Sequence, residues 1–493
     1  MSEDNSQQTS SLLGESIRGV IWSLADRGGS GAISVLVHIV LARLLVPEYF
    51  GVIAMARVGV ELIGLFNDLG FAQAIIQRDE LEDEHLDSAL WSLMGIGLIL
   101  SAVGYVASPL VALFFDEPQL EDVFKVLVLQ IPIMSASAVP VAILKRRMRF
   151  KVLSVRSLFA VTVAGGIAIG LAFLGWGVWA LVAKSLIDVC VGAVVLWAAV
   201  EWRPRVAFSK AHFRDLFSFG ANITGAKFVN FFTRQADDLI IGYFLGSTAL
   251  GFYSVAYEIL QGLTSLLART MTSVALPAFS RLQHEADQLR KAFVTSVSGA
   301  SLLSFPVFLL FAAVAPEFFE VIYGDKWIDS APIAQILAFV GVLHTAALFN
   351  PPIIKARGRA DWAFLLSLVN AVGNVAGFFI GVTFGVEGVA IAFVAWGYLF
   401  TPFELVCVHR LIDFRVGEYL TNVGRSFVSA LGIAAAVRGL GWLLAPHLPT
   451  WVSLGIMVGV GLLGHYLFVR FIVGLSITDL TARLREELGN LEK

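Results

Sequence analysis

Cysteine and charge are both scarce in this 493-residue chain. The two cysteines, Cys190 and Cys407, stand inside apolar stretches, so they read as packing residues and not as a disulfide or metal framework. Charged residues make up 15% of the chain, against roughly 25% in ordinary soluble domains. Every loop between apolar stretches is short, which excludes a large soluble domain. No GxxxxGK[ST] occurs, which rules out ATP hydrolysis by that route. No HExxH and no paired CxxC occur, so neither common zinc pattern is present. Carboxylates gather at Asp79 to Asp87 and Asp116 to Asp122, without a positioned catalytic partner. The net charge is -3 and the basic clusters are short, so nucleic acid is not an expected partner. The opening MSEDNSQQTSS lacks the basic n-region of a cleavable signal, and the first fifteen residues are expected to be disordered.

Long apolar runs dominate what is there. The apolar fraction is 57% and the mean hydropathy +0.79. Val161 to Val200 alone has room for two spans of about 20 residues. In hydrocarbon the backbone must satisfy its own hydrogen bonds, and continuous runs without alternation favour helices over a barrel. The expected fold is an all-α polytopic membrane protein of about fourteen transmembrane helices. Residues 1–15 form a cytoplasmic N-terminus, 16–200 a first six-helix lobe, and 201–213 a cytoplasmic linker. A second lobe spans 214–410, two accessory helices 411–473, and an amphipathic tail 474–493. The tail places Leu480, Leu484, Leu488 and Leu491 at helical spacing, which also fits a solvated tail with no role.

The two lobes read as copies. The basic loop ILKRRMRF (Ile143 to Phe150) matches IIKARGRA (Ile353 to Ala360) at an offset of 210. That offset carries Lys145 onto Lys355, Arg147 onto Arg357 and Arg149 onto Arg359. Gly177-Val178 and Gly388-Val389 correspond at 211, and Gly51 falls on Gly251 at 200. Duplicated helical bundles are a common transporter architecture, with the path between the repeats.

Loop charge sets the orientation. With a cytoplasmic N-terminus, the inner loops hold Arg78, Lys145 to Arg156, Arg203 to Arg214, Arg281 to Lys291, Lys355 to Arg359, Arg410 and Arg415. The opposite side holds little beyond Arg43 and Lys326, a strong positive-inside bias. Both termini are then cytoplasmic.

Ionisable residues within spans are costly and usually face a cavity or a partner. Segment 1 carries Asp26 and Arg27, and segment 7 carries Lys227, Arg234, Asp237 and Asp238. The offset of 200 puts Arg27 on Lys227, so a two-fold relation makes these cations face one another. A cationic gap suits a phosphate-linked or acidic solute, whereas neutralisation by Asp26, Asp237 and Asp238 makes the same charges structural. Segment 2 carries Arg57, Glu61 and Asp68, and segment 8 carries Glu258 and Arg269. These form either a gate or ion-coupling site, or ion pairs that lock the bundle; the second is favoured because paired charges solve the burial problem by themselves. Lys184 and Asp188, four apart, read most simply as a self-contained pair. His38, His344 and Glu404 read as hydrogen-bonded interior residues.

Five stretches carry a family resemblance. They are LARLLVPEYFGVIAMA (Leu41 to Ala56), FNDLGFAQAIIQR (Phe66 to Arg78), GWGVWALVAKSL (Gly175 to Leu186), DDLIIGYFLGSTALGFYSVAYEI (Asp237 to Ile259) and LPAFSRLQ (Leu276 to Gln283). In order and spacing they resemble Wzx-type flippases of the multidrug/oligosaccharidyl-lipid/polysaccharide superfamily, closest to the colanic acid exporter-like group. The resemblance implies two six-helix lobes with segments 1, 2, 7 and 8 lining a cavity. It implies transfer of an undecaprenyl-pyrophosphate-linked repeat unit across the bacterial inner membrane, with no cofactor and no catalytic residue. An H⁺ or Na⁺ gradient is the expected energy source, and the polysaccharide polymerase machinery an expected associate. The doubled acid Asp237-Asp238 departs from relatives that often carry Asn at the second position. Gly246, Gly251 and Tyr253 match the following turn and helix start, where a structural role is expected. On this reading Arg27, Lys227, Arg57, Arg234 and Arg269 attract the anionic headgroup. Asp26, Glu61, Asp68, Asp237, Asp238 and Glu258 tune them or carry the coupling ion. The rivals are an ion-coupled small-molecule antiporter of the same superfamily, with an acidic cavity, and a membrane polysaccharide polymerase, which the short loops disfavour.

Overall fold

The computed structural model describes residues 29–67, 70–78 and 81–473; side chains are described within these except at 211, 215–230, 233, 268–274, 277, 472 and 473. The regular elements among the described residues are all helices, with no strand. In order they form α1 (Gly29–Leu44), α2 (Pro47–Asn67), α3 (Phe71–Gln77), α4 (Asp83–Phe115), α5 (Pro118–Leu127), α6 (Gln130–Arg146), α7 (Phe150–Phe173) and α8 (Val178–Ala199). There follow α9 (Lys210–Arg281), α10 (Ala286–Phe318), α11 (Ser330–Ala347), α12 (Asn350–Ala356), α13 (Ala360–Gly381), α14 (Gly385–Ile412), α15 (Val416–Leu444) and α16 (Thr450–Phe468). Among the described residues eleven stretches are long and apolar enough to cross a membrane, and one of them, Ala360–Ile412, holds both α13 and α14. The chain is an all-α, multi-pass membrane protein.

Helix α4 shows how the sequence builds such a span. Gly97, Ser101, Gly104, Ser108 and Ala112 recur at helical spacing and are all buried. The opposite stripe, Ile99, Val103, Val106, Leu110 and Leu113, is 57 to 77% exposed. Small residues inside let helices approach closely, and large apolar residues outside face lipid, the reverse of a soluble helix. Inside, a Cβ built on Gly97 lies 2.2 Å from Ser135 Oγ, and Ser101 Oγ donates to Val128 O at 3.0 Å. Asp83 and Glu84 sit in the first turn, where the helix dipole favours negative charge. Asp116 ends the helix in the left-handed region, and Pro118 opens α5.

The duplicated basic loops have one backbone geometry. At the end of α6, Arg149 N–H donates to Leu144 O (2.9 Å) and Met148 N–H to Lys145 O (3.1 Å), with Met148 at φ 53°. At the end of α12, Arg359 N–H donates to Ile354 O (3.0 Å) and Gly358 N–H to Lys355 O (2.9 Å), with Gly358 at φ 73°. Both are Schellman caps, in which a left-handed residue turns the last carbonyls back into hydrogen bonds. The arginines fasten these turns to backbone carbonyls. Arg146 binds Ile75 O at 2.9 Å and also Arg78 O, and Arg357 binds Gln283 O at 2.7 Å. The links after α7 and α13 both turn on a left-handed glycine, Gly175 (φ 80°) and Gly385 (φ 83°), which are related by the offset of 210.

The chain divides into two compact units, Met1–Ser254 and Val255–Lys493. The division falls within α9. Packing explains this. Gly242 lies against Phe115, Ser247 Oγ donates to Glu117 Oε2 at 2.8 Å, and Phe114 and Tyr243 have ring centroids 4.7 Å apart. The first unit has a core built from Phe71, Leu90, Leu93, Ile143 and Leu196; that of the second gathers Phe279, Phe293, Ile353, Phe400 and Phe414.

Within the first unit one contact is reciprocal. A Cβ built on Gly51 lies 1.7 Å from Ser247 O, and one built on Gly251 lies 2.0 Å from Pro47 O. Pro47 and Ser247 are themselves related by the offset of 200, so residue and partner exchange places as at a two-fold interface. No side chain fits at either glycine without parting the backbones. Gly51→Ala and Gly251→Ala are each expected to lower stability by about 1–3 kcal/mol. Gly64→Ala, on the same helix α2 but with nothing within 4 Å, serves as the neutral control. Melting temperatures of the purified variants in detergent check this, and a Gly51→Ala protein as stable as the Gly64→Ala control contradicts it.

Candidate functional site

Helix α9 supplies the polar half of the site and owes its form to one residue. Gly246, at φ 83° and ψ -178°, breaks the helical course between Asp237 and Tyr253. Only glycine takes that conformation without strain. The break lets the chain turn back so that Tyr253 OH donates to Asp237 Oδ2 at 2.8 Å. Both residues are buried, at 3% and 0% exposure. The second oxygen, Asp237 Oδ1, is shut off from solvent and accepts no hydrogen bond among the described residues.

Helix α2 brings the other half. Gln235 Nε2 donates to Glu61 Oε2 across to α2, and the charges of Arg57 and Glu61 act on Asp238. Arg57, Glu61, Gln235, Asp237, Asp238 and Tyr253 therefore form one polar group on apolar helices, all within the first unit. Arg57 and Glu61 are exposed, Asp238 is half-buried, and Asp237 is buried. The group thus runs from an accessible mixed-charge rim to an enclosed acid. Asp237 can hold a proton, or offer its open oxygen to a small cation.

The other expected site residues divide by location. Arg234 is exposed. Glu258 lies in the second unit, exposed, and its charge acts on Tyr323. Asp26, Arg27 and Asp68 lie outside the described residues, and the side chains of Lys227 and Arg269 lie outside the described side chains. The structure joins segment 2 to segment 7 through Glu61 and Gln235; Gln235 and Tyr253 were not anticipated in polar roles. The signal for Tyr253 was its spacing of 16 from Asp237 across a glycine turn, legible only once the turn is known.

A second polar group sits on α7 and α8. Lys184 and Asp188 are not a self-contained pair, because Arg156 acts on Asp188 more strongly than Lys184 does. Arg156, first read among the loop cations, lies across α8 with its Nε 2.9 Å from the Cβ position of Gly192. A cavity of about 390 Å³ adjoins it, lined in part by Ser30, Ser34, Ser157 and Asp188. Elsewhere charge is structural. Arg438 on α15 donates from one guanidinium nitrogen to both carboxylate oxygens of Glu317 on α10, at 2.8 and 3.0 Å, an ion pair that fastens α15 to α10. Asn350 Nδ2 donates to Glu404 Oε2 at 3.2 Å. His38 packs edge-on against Phe50, and His344 edge-on against Phe393.

This fold is that of the multidrug/oligosaccharidyl-lipid/polysaccharide class of membrane transporters. It matches the lipid II flippase MurJ in an inward closed conformation with a TM-score of 0.71, at 13% identity, over 92% of this chain and 100% of that one. A multidrug resistance MATE transporter, inward-facing, matches at 0.55, with 17% identity over 77% of this chain and 95% of that one. Residues 40–332 match the family described as "Polysaccharide biosynthesis protein", and the chain belongs to that family. Similar curated proteins include the teichuronic acid biosynthesis protein TuaB of Bacillus subtilis, 27% identical over 75% of this chain and 77% of its own length. The succinoglycan biosynthesis transport protein ExoT of Rhizobium meliloti is 26% identical over 88% of both chains. The lipopolysaccharide biosynthesis protein WzxC of Escherichia coli is 23% identical over 89% of this chain and 90% of its own.

The Asp237–Tyr253 bond yields a direct test. Tyr253→Phe removes the buried hydroxyl that donates to Asp237 Oδ2 and is expected to cost about 1–3 kcal/mol. Asp237→Asn, which keeps an oxygen acceptor for the tyrosine, is expected to stay close to wild type. Thermal melting of both variants decides; equal stability of Tyr253→Phe and wild type refutes the assignment.

Proposed function

We propose that the protein is a flippase that moves undecaprenyl-pyrophosphate-linked oligosaccharide repeat units across the bacterial inner membrane, from the cytoplasmic to the periplasmic leaflet, for polysaccharide export. The observation that carries this reading is the family match together with relatives, matched over 77 to 90% of their length, named for three different polysaccharides, on a fold that a lipid II flippase shares. The physical problem is the headgroup. Each hydroxyl taken into hydrocarbon without a partner costs kcal/mol, and a bare pyrophosphate far more. A wet path lined by basic groups removes most of that cost while the polyprenyl tail stays in lipid.

On this reading Arg27 and Lys227 attract the pyrophosphate or acidic sugars, assisted by Arg57, Arg234 and Arg269. The enclosed Asp237, with Asp238 and Glu61 beside it, carries the coupling H⁺ or Na⁺ or sets the charge of the cations. Alternating access of the two repeats then exposes the path to each leaflet in turn. No covalent bond is made or broken, so no catalytic residue is assigned. A small-molecule antiporter is the second reading: the described polar group holds three carboxylates (Glu61, Asp237 and Asp238) to one arginine (Arg57), and the fold is also that of multidrug transporters.

The test is a chromosomal deletion complemented with variants. The deletion is expected to stop polymer export and to accumulate a lipid-linked glycan. Wild type restores export, and the double variant Arg27→Ala with Lys227→Ala, at equal protein level, does not. Normal export by that double variant defeats the cationic path; normal export by the deletion strain with no accumulated glycan favours the antiporter.

A further inference from the structure

The segment that joins α8 to α9 is strapped along the start of α4. Arg205 N–H donates to Asp87 Oδ1 at 3.0 Å, Ser209 N–H to Ser88 Oγ at 3.0 Å, and Trp91 Nε1 to Arg205 O at 2.7 Å. The strap delivers His212 against His85, with ring centroids 4.0 Å apart. Glu82 and Glu84 flank the pair: Glu82 Oε2 lies 4.0 Å from His212 Nε2, and Glu84 Oε2 lies 3.8 Å from His212 Nδ1. One donor atom each from Glu82, His85 and His212 falls within 4.8 Å of the others. His85 is 4% exposed, His212 is half-buried and Glu82 is exposed. His212 Nδ1 is closed off from solvent and takes no hydrogen bond among the described residues.

We infer that Glu82, His85 and His212 form a binding site for a divalent transition-metal ion of the zinc class, with water as fourth ligand. The donor chemistry selects the metal. Two imidazole nitrogens and a carboxylate suit zinc and its neighbours, whereas calcium and magnesium take oxygen. Bond lengths of about 2.0–2.2 Å place donors on a common zinc ion roughly 3.5 Å apart. Closing from 4.8 Å needs movement of about an ångström, which the exposed Glu82 and half-buried His212 can supply while the buried His85 stays fixed. His85 Nδ1 accepts a hydrogen bond from Glu82 N–H at 3.3 Å. Whichever His85 nitrogen ligates, that bond is exchanged for the metal, because a ligating imidazole carries a proton on its other nitrogen. The bound ion then clamps the strap to α4.

The experiment uses the full-length protein in detergent, its affinity tag removed and metal stripped with a chelator. Zinc is titrated against a chromophoric competitor, and cobalt is added separately for its visible spectrum. The site predicts one zinc ion per chain, a higher melting temperature with zinc, and intense tetrahedral cobalt bands. His212→Ala is expected to gain nothing in melting temperature from added zinc, to lose the cobalt bands and to weaken zinc by more than about tenfold. His284→Ala, at an exposed histidine of the other unit, should bind as wild type does. Equal zinc affinity in wild type and His212→Ala, or cobalt bands that stay weak and octahedral, overturns the site and leaves a stacked imidazole pair that holds the strap alone.

Discussion

Hydrocarbon offers no partner to a polar group, and that constraint shapes the whole molecule. A polar atom on these helices is stabilised by finding a protein partner. On α4 the small and hydroxyl-bearing residues turn inward and the large apolar ones turn outward. Where helices end, Arg146 and Arg357 are spent on backbone carbonyls. Where charge enters α15 and α10, Arg438 and Glu317 neutralise each other with two hydrogen bonds. Asp237 is an instructive exception. One oxygen accepts from Tyr253, and the other, also buried, accepts no hydrogen bond from another side chain among the described residues.

Duplication supplies the framework on which that exception sits. The same Schellman cap closes α6 and α12, down to the pair of hydrogen bonds and the left-handed residue. The first copy places Met148 where the second has Gly358, so the earlier loop carries a strain that the later one lacks. The reciprocal contact of Gly51 with Ser247 and of Gly251 with Pro47 is a close backbone approach between related segments inside the first unit. It fixes α2 beside the stretch of α9 that carries Gln235 and Asp237, and so sets the distance from Glu61 to its partner. Symmetry, close packing and the polar group are in this sense one feature.

The sequence made the membrane helices legible because length and hydropathy leave few alternatives, and the copies legible because their basic loops keep a constant offset. The residue types of the polar group were legible too, since an ionisable side chain in an apolar run stands out. Pairings were not. Tyr253 reads as a packing residue until Gly246 folds it back on Asp237. Arg156 reads as a loop cation until α7 is seen to carry it beside Asp188. Gln235 is unremarked in sequence and holds Glu61. Arg438 with Glu317, and His85 with His212, are separated by more than a hundred residues, and no local period signals such a meeting. The division of the chain within α9 was equally hidden, because composition marks the polar linker while packing, through Phe115, Glu117 and Ser247, decides which unit the helix joins.

The central claim is that this protein carries a lipid-linked glycan from one leaflet to the other. The most direct measurement reconstitutes the purified protein in proteoliposomes with an undecaprenyl-pyrophosphate-linked oligosaccharide in one leaflet, and follows its arrival in the other by accessibility to a lectin or glycosidase. The account predicts transfer well above that of protein-free vesicles, responsive to an imposed ion gradient. Transfer no faster than in protein-free vesicles, with the protein shown folded and inserted, contradicts it.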